Sequence, residues 1–515
     1  MPKSPTDDAE LSEFGYKPEL KRTLGDFHTF AAGVSYISIL TGTFQMFYFG
    51  FAHGGPAYWW SWPLVFVGQL MVALCFAELA ARYPVAGSIY NWAKRIGNPH
   101  VGWLAGWMML TASIVSLAAV ALSYQETLPQ ISQVFQIVGD GTGRYDAAEN
   151  AVLLGGILIV FTTLVNAFGV KLMATINTAG VFLELVATVV LIVLFAVHIV
   201  RSPAAVLTDT QQHGAGHPAG YLGAFLVASL ASAYVMYGFD TAASLGEESL
   251  DPSRNAPRAI MRALLASFVL GGLVLLLALM AVHSLTGGGL STDGLQYVVI
   301  DVLGSTVGKA MLWCVLIAVT VCELAVHTAA IRLAFAMSRD NNLPASGLMA
   351  RVSPRFRTPV LPAVVIGALA VLVLVVNIRT PQIFSLVTSV AIIMIYLAYL
   401  LVTLPMLVSR LRGTWHPAPG RFTLGRLGLP INILAVLWGA GMIVNLAWPR
   451  NSVYNSTPPH HWYLQWGAVL FVGVVALGGF AYYWFVQRHR TGVRAEHAAE
   501  PRPADGTSDP VSTTH

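Results

Sequence analysis

Two residues in the middle of an apolar run, Gly238 and Asp240, give the first sign of chemistry in this chain. The run, residues 221–245, is long enough to cross a bilayer. A carboxylate at bilayer depth costs about 2.5–3.5 kcal/mol, and glycine weakens the helix that contains it. Together they predict a transmembrane helix that is interrupted here, with freed backbone groups facing a cavity. The alternative is a kinked helix with a buried, paired Asp240.

The first apolar run is also unusual, because small and hydroxyl residues lie near its centre: Ser38, Thr41, Gly42 and Thr43. Interrupted spans at corresponding positions of two halves indicate a transporter binding site. At such breaks a helix N-terminus favours a carboxylate, and freed carbonyl groups favour a cation or an ammonium. The site would suit a zwitterion. The alternative is a helix-packing surface of small residues.

Three more ionisable side chains fall inside apolar runs. Glu323 and His327 lie four residues apart in the eighth run, so they share a helix face and can hold one proton between them. The alternative for this pair is a local ion pair. Glu184, in the fifth run, is either a coupling group or a buried structural hydrogen bond. With Asp240, these are the candidate coupling or gating residues.

Aromatic side chains accompany the break in the sixth run. Tyr237 and Phe239 suit cation–π contact with an ammonium, and Tyr234 lies one helical turn before Gly238. Tyr124, near the outer end of the third run, is a further candidate for lining the cavity. The alternatives are core packing and, for Tyr124, a position at the membrane interface.

Composition decides the class of protein. Of 515 residues, 56% are hydrophobic and only 10% are charged, whereas soluble domains are about 25% charged. The chain is therefore a multi-pass membrane protein. Its net charge of +4 is small and its basic residues lie in loops, so nucleic-acid binding is not indicated. Without a nucleotide-binding loop, a nucleophile motif or metal-ligand spacing, we predict no enzyme activity, no cofactor and no metal.

Twelve apolar runs predict twelve membrane-spanning helices. With both termini in the cytoplasm, 24 of the 29 Lys and Arg residues lie on the cytoplasmic side, as the positive-inside rule requires. The predicted spans are 27–50, 57–80, 101–127, 150–168, 174–200, 221–245, 259–283, 306–336, 360–378, 382–408, 429–448 and 463–486.

The spacing of the two interrupted runs suggests inverted repeats of five spans each. Residues 80–100 are too polar to span and predict a short helix at the cytoplasmic interface, anchored by Tyr90 and Trp92. The predicted organisation is a cytoplasmic tail (1–25), a transmembrane domain (26–487) with repeats at 27–200 and 221–408 and extra helices at 429–486, and a disordered cytoplasmic tail (488–515).

Four stretches then indicate a family. They are residues 15–22, residues 78–90, residues 238–241 with 247–258, and residues 332–344. In this order they resemble the amino acid–polyamine–organocation permeases, and within them the amino acid/choline transporter branch. The resemblance implies a broken-helix fold with five-plus-five inverted repeats, alternating access, and import or exchange of amino acids or related amines.

The resemblance also assigns roles to residues. In the family, a Gly-Ser/Thr-Gly segment of the first span binds the substrate carboxylate; the matching residues here begin with Leu40, followed by Thr41 and Gly42. This difference admits 4-aminobutyrate, choline or polyamines as substrates. Tyr234 matches an aromatic residue that closes over substrate, and Asp240 falls where many relatives carry a Glu linked to proton coupling or gating.

The resulting prediction is a secondary active transporter in the cytoplasmic membrane, a monomer or homodimer, driven by protons or by exchange. Sodium coupling through hydroxyls such as Ser38, Thr41 and Thr328 is the alternative, and a permease-derived sensor is a remote one. A set of charged residues at the cytoplasmic ends forms either weak surface ion pairs or an inner gate: Glu247, Glu248, Arg254, Arg258, Arg339 and Asp340, which Arg82 and Arg95 could join.

Overall fold

The protein is built from α-helices. A computed structural model describes residues 24–215, 219–356, 358–376, 378, 383–454 and 460–498. Short helical turns join the main helices at Pro203–Leu207, Gly289–Thr292, Ser346–Met349, Asn451–Tyr454 and Trp462–Gln465. The main helices are α1 Asp26–Ile37, α2 Ile39–Gly54, α3 Ser61–Arg82, α4 Ser88–Ile96, α5 Pro99–Ala121, α6 Ser123–Ile131, α7 Asp146–Phe168, α8 Val170–Val197, α9 Tyr221–Val235, α10 Thr241–Ser244, α11 Pro252–Ala281, α12 Gly294–Arg339, α13 Val360–Val376, α14 Ile383–Leu411, α15 Gly428–Ala447 and α16 Gly467–Tyr482.

The helices are long and apolar, as a membrane protein requires. Within the described ranges, ten helical segments are long and apolar enough to cross a membrane. Two shorter apolar helices, α9 and α13, lie where the sixth and ninth spans are predicted. This agrees with a multi-pass membrane protein of the broken-helix class. The count of twelve spans and the inverted repeat remain predictions.

The segments differ in how deeply they are buried. In the apolar 18-residue stretch of α1 and α2, 94% of the residues are buried inside the protein, and in that of α12 83% are buried. In the corresponding stretch at α16 only 17% are buried. The first and eighth spans therefore lie at the centre of the bundle, whereas α16 presents apolar side chains outward, as a lipid-facing helix does.

The structure corrects one predicted boundary and adds a helical segment before another. Gly304, with a non-helical φ of +73° and ψ of +170°, separates a first segment of α12 that begins at Gly294 from the long segment that ends at Arg339. The long segment starts directly after Gly304, which agrees with the start of the eighth span predicted near residue 306, and the segment before it was not predicted. At the C-terminus, residues 488–498 are packed rather than disordered, since the Arg494 N–H donates to the Arg339 carbonyl at 3.0 Å.

The helix predicted after the second span is present as α4, but its aromatic residues are not interfacial anchors. Tyr90 and Trp92 are fully buried. The Trp92 Nε1 group donates to the Tyr83 carbonyl at 2.9 Å, and the Tyr90 hydroxyl donates to Asp340 at 2.6 Å. These partners hold α4 against the protein. The tail at 1–23, the motif at 15–22, Arg379 and residues 499–515 lie outside the described residues.

Candidate functional site

The first membrane span is broken at Ser38. This residue has φ +37° and ψ +98°, and it separates α1 from α2. A non-glycine residue in this region of φ/ψ space carries strain and occurs most often at functional sites. The break leaves the C-terminal carbonyl groups of α1 and the N-terminal N–H groups of α2 close together inside the membrane. The predicted interruption of the first helix is therefore present.

The sixth span is broken between Val235 and Thr241, where α9 ends and α10 begins. Gly238 lies in this gap with φ +86°. A methyl group at position 238 would overlap the ring of Tyr36, so glycine is required both by its backbone conformation and by this close approach. Because Tyr36 lies near the end of α1, the two breaks meet each other in the folded protein.

Asp240 follows the second break and is buried, with 2% of its surface exposed. The Tyr399 hydroxyl, from α14, donates to Asp240 Oδ1 at 2.5 Å. The same hydroxyl accepts a hydrogen bond from the Gly238 N–H at 2.9 Å. Among the described residues, Asp240 is thus held by a phenol and by no cationic side chain.

Glu184, from α8, lies at the first break. The Ser38 hydroxyl donates to Glu184 Oε1 at 2.9 Å, and the Leu40 N–H donates to the same oxygen at 3.2 Å. The Ser38 hydroxyl oxygen lies 2.6 Å from the Thr41 hydroxyl oxygen, so the two hydroxyls and the carboxylate form a chain. Glu184 is 1% exposed, and its Oε2 has no hydrogen-bond partner among the described residues.

Glu323 and His327 do not form the predicted shared-proton pair. His327 Nδ1 lies 3.1 Å from the Thr162 hydroxyl, and its Nε2 lies 3.0 Å from the Ala363 carbonyl oxygen. Both carboxylate oxygens of Glu323 are buried and lack a hydrogen-bond partner within the described part of the chain. The imidazole is directed toward α7 and α13, so a common helix face did not produce contact between the two side chains.

Three tyrosines form an aromatic wall at the breaks. The rings of Tyr36 and Tyr237 are 6.0 Å apart, and those of Tyr234 and Tyr237 are 5.9 Å apart, both edge to face. The Tyr234 hydroxyl donates to Gln45 Oε1 at 2.7 Å, which joins α9 to α2. The Tyr124 hydroxyl lies 2.7 Å from the Thr320 hydroxyl, so it joins α6 to α12.

Other candidates have packing roles in this conformation. Phe239 is fully buried, and its ring packs against Phe76 and Tyr399. The Thr43 hydroxyl donates to the Ile39 carbonyl of its own helix at 2.5 Å. Gly42 lies where a methyl group would come within 2.9 Å of the Val235 side chain, so it permits close contact between α2 and α9.

The sequence reading missed four residues of this region: Gln45, Glu126, Tyr36 and Tyr399. The sequence could have identified Gln45 and Glu126, because a polar side chain in or beside an apolar run is costly to bury in a membrane and usually has a functional role. The Glu126 Oε2 atom is buried and has no hydrogen-bond partner among the described residues. Tyr36 and Tyr399 gave no such signal, since tyrosines are frequent in membrane helices.

Several carboxylates inside the bundle have no cationic partner among the described residues. Four carboxylates at the breaks and along the neighbouring helices have no salt bridge within the described ranges: Glu126, Glu184, Asp240 and Glu323. Intramembrane acids of this kind mark ion and substrate paths. Chemically, the arrangement can bind a cation or exchange protons.

Comparison with known proteins agrees with this architecture. A family model described as amino acid permease matches residues 24–475. This chain belongs to the amino acid permease family. The resemblance to the amino acid–polyamine–organocation permeases is thereby confirmed, as is the prediction that the protein is a transporter and not an enzyme.

Three relatives illustrate the range of this permease family. Amino-acid permease BAT1 of Arabidopsis thaliana is 30% identical over 499 residues, covering 93% of this chain and 94% of the relative. The thiamine transporter thi9 of Schizosaccharomyces pombe is 26% identical and covers 96% and 89%. The methylthioribose transporter of Bacillus subtilis is 29% identical and covers 68% and 74%.

The permease has a buried cluster of ion pairs at the end of the bundle predicted to be cytoplasmic. Arg339 bonds Glu247 at 2.8 Å, and both side chains are at most 1% exposed. Arg332 bonds Glu248 at 2.8 Å, and Lys94 bonds Asp340. These pairs join α4, α12 and the turn after α10. They are not surface pairs, and Arg332 and Lys94 are members that the sequence reading left out.

Two predicted members of this cluster do not belong to its buried part, because Arg254 and Arg258 are exposed. Near the cluster, a narrow crevice opens between α1, α8, α10 and α12. It is lined by Leu24, His28, Ala32, Met173, Ala174, Asn177, Thr178, Thr241, Leu245, Ala325 and Thr328. The crevice therefore reaches Thr241, the residue that follows Asp240.

Proposed function

We propose that this permease is a secondary active transporter that moves an amino acid or a related small amine across the cytoplasmic membrane by alternating access. The observation that carries the proposal is the meeting of two broken helices, each beside a buried acid that has no salt bridge within the described residues. At the breaks, Glu184 and Asp240 supply negative charge and the tyrosines supply π faces for an ammonium group. The narrow crevice that reaches Thr241 lies where a route from this site to the cytoplasm would widen on inward opening.

Proton coupling or exchange is the proposed source of energy. Asp240, Glu184 and Glu323 are buried acids without a cationic partner in the described part of the chain, and such groups can gain and lose protons during a transport cycle. The hydroxyls considered for sodium have other partners: Ser38 bonds Glu184, and Thr328 donates to Asn166 Oδ1 at 2.8 Å. Sodium coupling is therefore the alternative that the uptake assay with imposed sodium gradients examines.

The ion pairs Arg339–Glu247 and Arg332–Glu248 form the inner gate of this proposal. They hold the ends of the helices together in the present conformation, and inward opening requires their separation. The twelve spans, the inverted repeat and the cytoplasmic location of both termini are part of the same proposal. Alternating access follows from rocking of one set of helices against the other around the paired breaks.

The test is uptake by the purified full chain in proteoliposomes. The panel contains amino acids, choline, 4-aminobutyrate, polyamines, thiamine and methylthioribose, each assayed with imposed proton or sodium gradients and with preloaded solute. We expect accumulation of an amine-bearing solute driven by an inward proton gradient or by exchange. Accumulation driven only by sodium would overturn the coupling mode, and no transport of any solute by a monodisperse preparation would overturn the proposal.

A further inference from the structure

The N-terminus of α2 is an anion-binding position at the first break. It begins a helix of 16 residues, and the first N–H groups of a helix have no partner inside it. These groups and the helix dipole favour negative charge. In this protein the position is already filled, because Glu184 Oε1 accepts from the Leu40 N–H and from the Ser38 hydroxyl.

The second oxygen of the same carboxylate is the independent observation. Glu184 Oε2 is buried and has no hydrogen-bond partner among the described residues, although the residue is only 1% exposed. A buried carboxylate oxygen in this state can accept a hydrogen bond from a donor that is not part of the chain. Glu184 is therefore both a substitute anion at the helix terminus and an acceptor for a ligand.

The remaining groups at the first break also favour a cation. The Tyr36 carbonyl lies in the last turn of α1, the end of a helix that carries partial negative charge, and it accepts a weak bond from Cys322 Sγ at 3.6 Å. The rings of Tyr36, Tyr234 and Tyr237 form the aromatic wall at the two breaks. A substrate carboxylate placed here would meet like charge in a medium of low dielectric constant, which is strongly unfavourable.

We infer that Glu184 takes the place of a substrate carboxylate and that this permease selects organic cations that lack one. The inference rests on the proposed function and names its substrate class. The preferred solute is an amine or quaternary ammonium compound whose cationic group lies between Glu184 and the tyrosines. A matching amino acid is rejected because its carboxylate finds no free anion site and is repelled by Glu184.

The test compares pairs of solutes that differ chiefly in a carboxylate: cadaverine with lysine, histamine with histidine, and choline with betaine. Equilibrium binding to the purified full chain gives a dissociation constant for each member, and proteoliposome uptake is measured in parallel. For the wild type we expect the member without the carboxylate to bind at least about tenfold more tightly, a factor typical of one unfavourable charge contact.

Two substitutions of Glu184 and one matched control separate local from general effects of charge. Glu184→Ala empties the helix terminus, so the preference for the amine should fall by about tenfold or more. Glu184→Gln keeps a hydrogen-bond acceptor for Leu40 and Ser38 and guards against loss of folding; it should weaken amine binding. Glu323→Ala removes the same charge from a residue that does not cap a helix. Its effect on the ratio of the two dissociation constants in each pair measures how much any buried negative charge contributes to the preference for the amine.

The outcomes are distinguishable. The inference is overturned if the wild type binds both members of each pair equally, or if Glu184→Ala changes the ratio no more than Glu323→Ala does. In both cases uptake of the amines would leave the proposed function intact. If the wild type takes up neither member of any pair or any other solute of the panel, the proposed function fails and this inference fails with it.

Discussion

The Tyr399 hydroxyl connects both sides of the break in the sixth span, because it accepts from the Gly238 N–H and donates to Asp240 Oδ1. One phenol from α14 thus satisfies a backbone group freed by the break and the acid that follows it. Hydrogen bonds to charged groups contribute about 1.5–3 kcal/mol. The geometry of the break consequently depends on a helix that is distant in sequence.

Tyr399→Phe tests this dependence. The variant leaves the Gly238 N–H and the Asp240 carboxylate without their partner, so we expect uptake to fall by about tenfold or more, in keeping with the cost of an unsatisfied buried charge. Tyr396→Phe is the matched control: Tyr396 is on the same helix and equally buried, and the hydrogen bonds to Gly238 and Asp240 come from Tyr399 and not from Tyr396. Similar losses of uptake in both variants would contradict a specific role for Tyr399.

Asp240→Asn tests the acid itself. The amide keeps the shape and an acceptor for Tyr399 but removes the negative charge. We expect insertion into the membrane to be normal and uptake to be weaker, with a flatter dependence on external pH, because the group can no longer exchange a proton. Measurement of uptake between pH 5 and 8 checks this, and a pH profile parallel to that of the wild type would exclude Asp240 from coupling.

Glu323→Gln tests a carboxylate that has no partner in the described structure. An unpaired buried charge opposes folding, so the neutral variant should unfold at a higher temperature while its transport changes in pH dependence or in amine affinity. Stability gained at the expense of activity is typical of functional sites. Wild-type values for the unfolding temperature, the pH profile and the affinity would return Glu323 to a purely structural role.

The pair Arg339–Glu247 tests the inner gate. Removal of one partner from a buried ion pair costs about 3–5 kcal/mol, because the other charge is left without compensation. Arg339→Gln and Glu247→Gln should therefore each lower the unfolding temperature strongly, and the double variant should recover part of the loss. A double-mutant cycle in thermal unfolding, run beside uptake, gives the coupling energy. Additive losses would show that the two side chains act independently.

Gly238→Ala tests the conformation of the second break. Its φ of +86° and the overlap of a methyl group with the Tyr36 ring should make the variant less stable by about 2–3 kcal/mol, with loss of uptake. Gly441→Ala is the control, since the added methyl group meets no atom within 4 Å inside helix α15 and should be neutral or stabilising. Equal thermal stabilities of the two variants would contradict the argument.

Much of the fold followed from composition alone. Apolar runs of about 20 residues predict helices because backbone groups in lipid must satisfy one another within the segment. A glycine and an acid in such a run, Gly238 and Asp240, correctly indicated a break for the same reason. The helical segment before Gly304, residues 294–303, escaped this logic, since residues buried against protein need not be apolar.

The contacts between side chains at the two breaks could not be predicted from the hydropathy pattern. Glu323 and His327 share a helix face, yet the imidazole bonds Thr162 and Ala363. The Glu323 carboxylate has no hydrogen-bond partner among the described residues. Spacing along a helix fixes which residues are neighbours, but the surrounding helices decide which partner each side chain finds. For the same reason Phe239, adjacent to Asp240 in sequence, faces Phe76 and belongs to the core.

Hydropathy and polar residues inside apolar runs were enough to predict a helical membrane protein with two interrupted spans, and the four motif stretches were enough to predict a permease. Only the tertiary structure placed Glu184 on the N-terminus of α2 and Tyr399 on Asp240, across 144 and 159 residues of chain. Contacts of this kind arise from helix packing, which brings together side chains whose separation in sequence carries no information about distance. That packing brings the two breaks together, with a buried acid beside each of them.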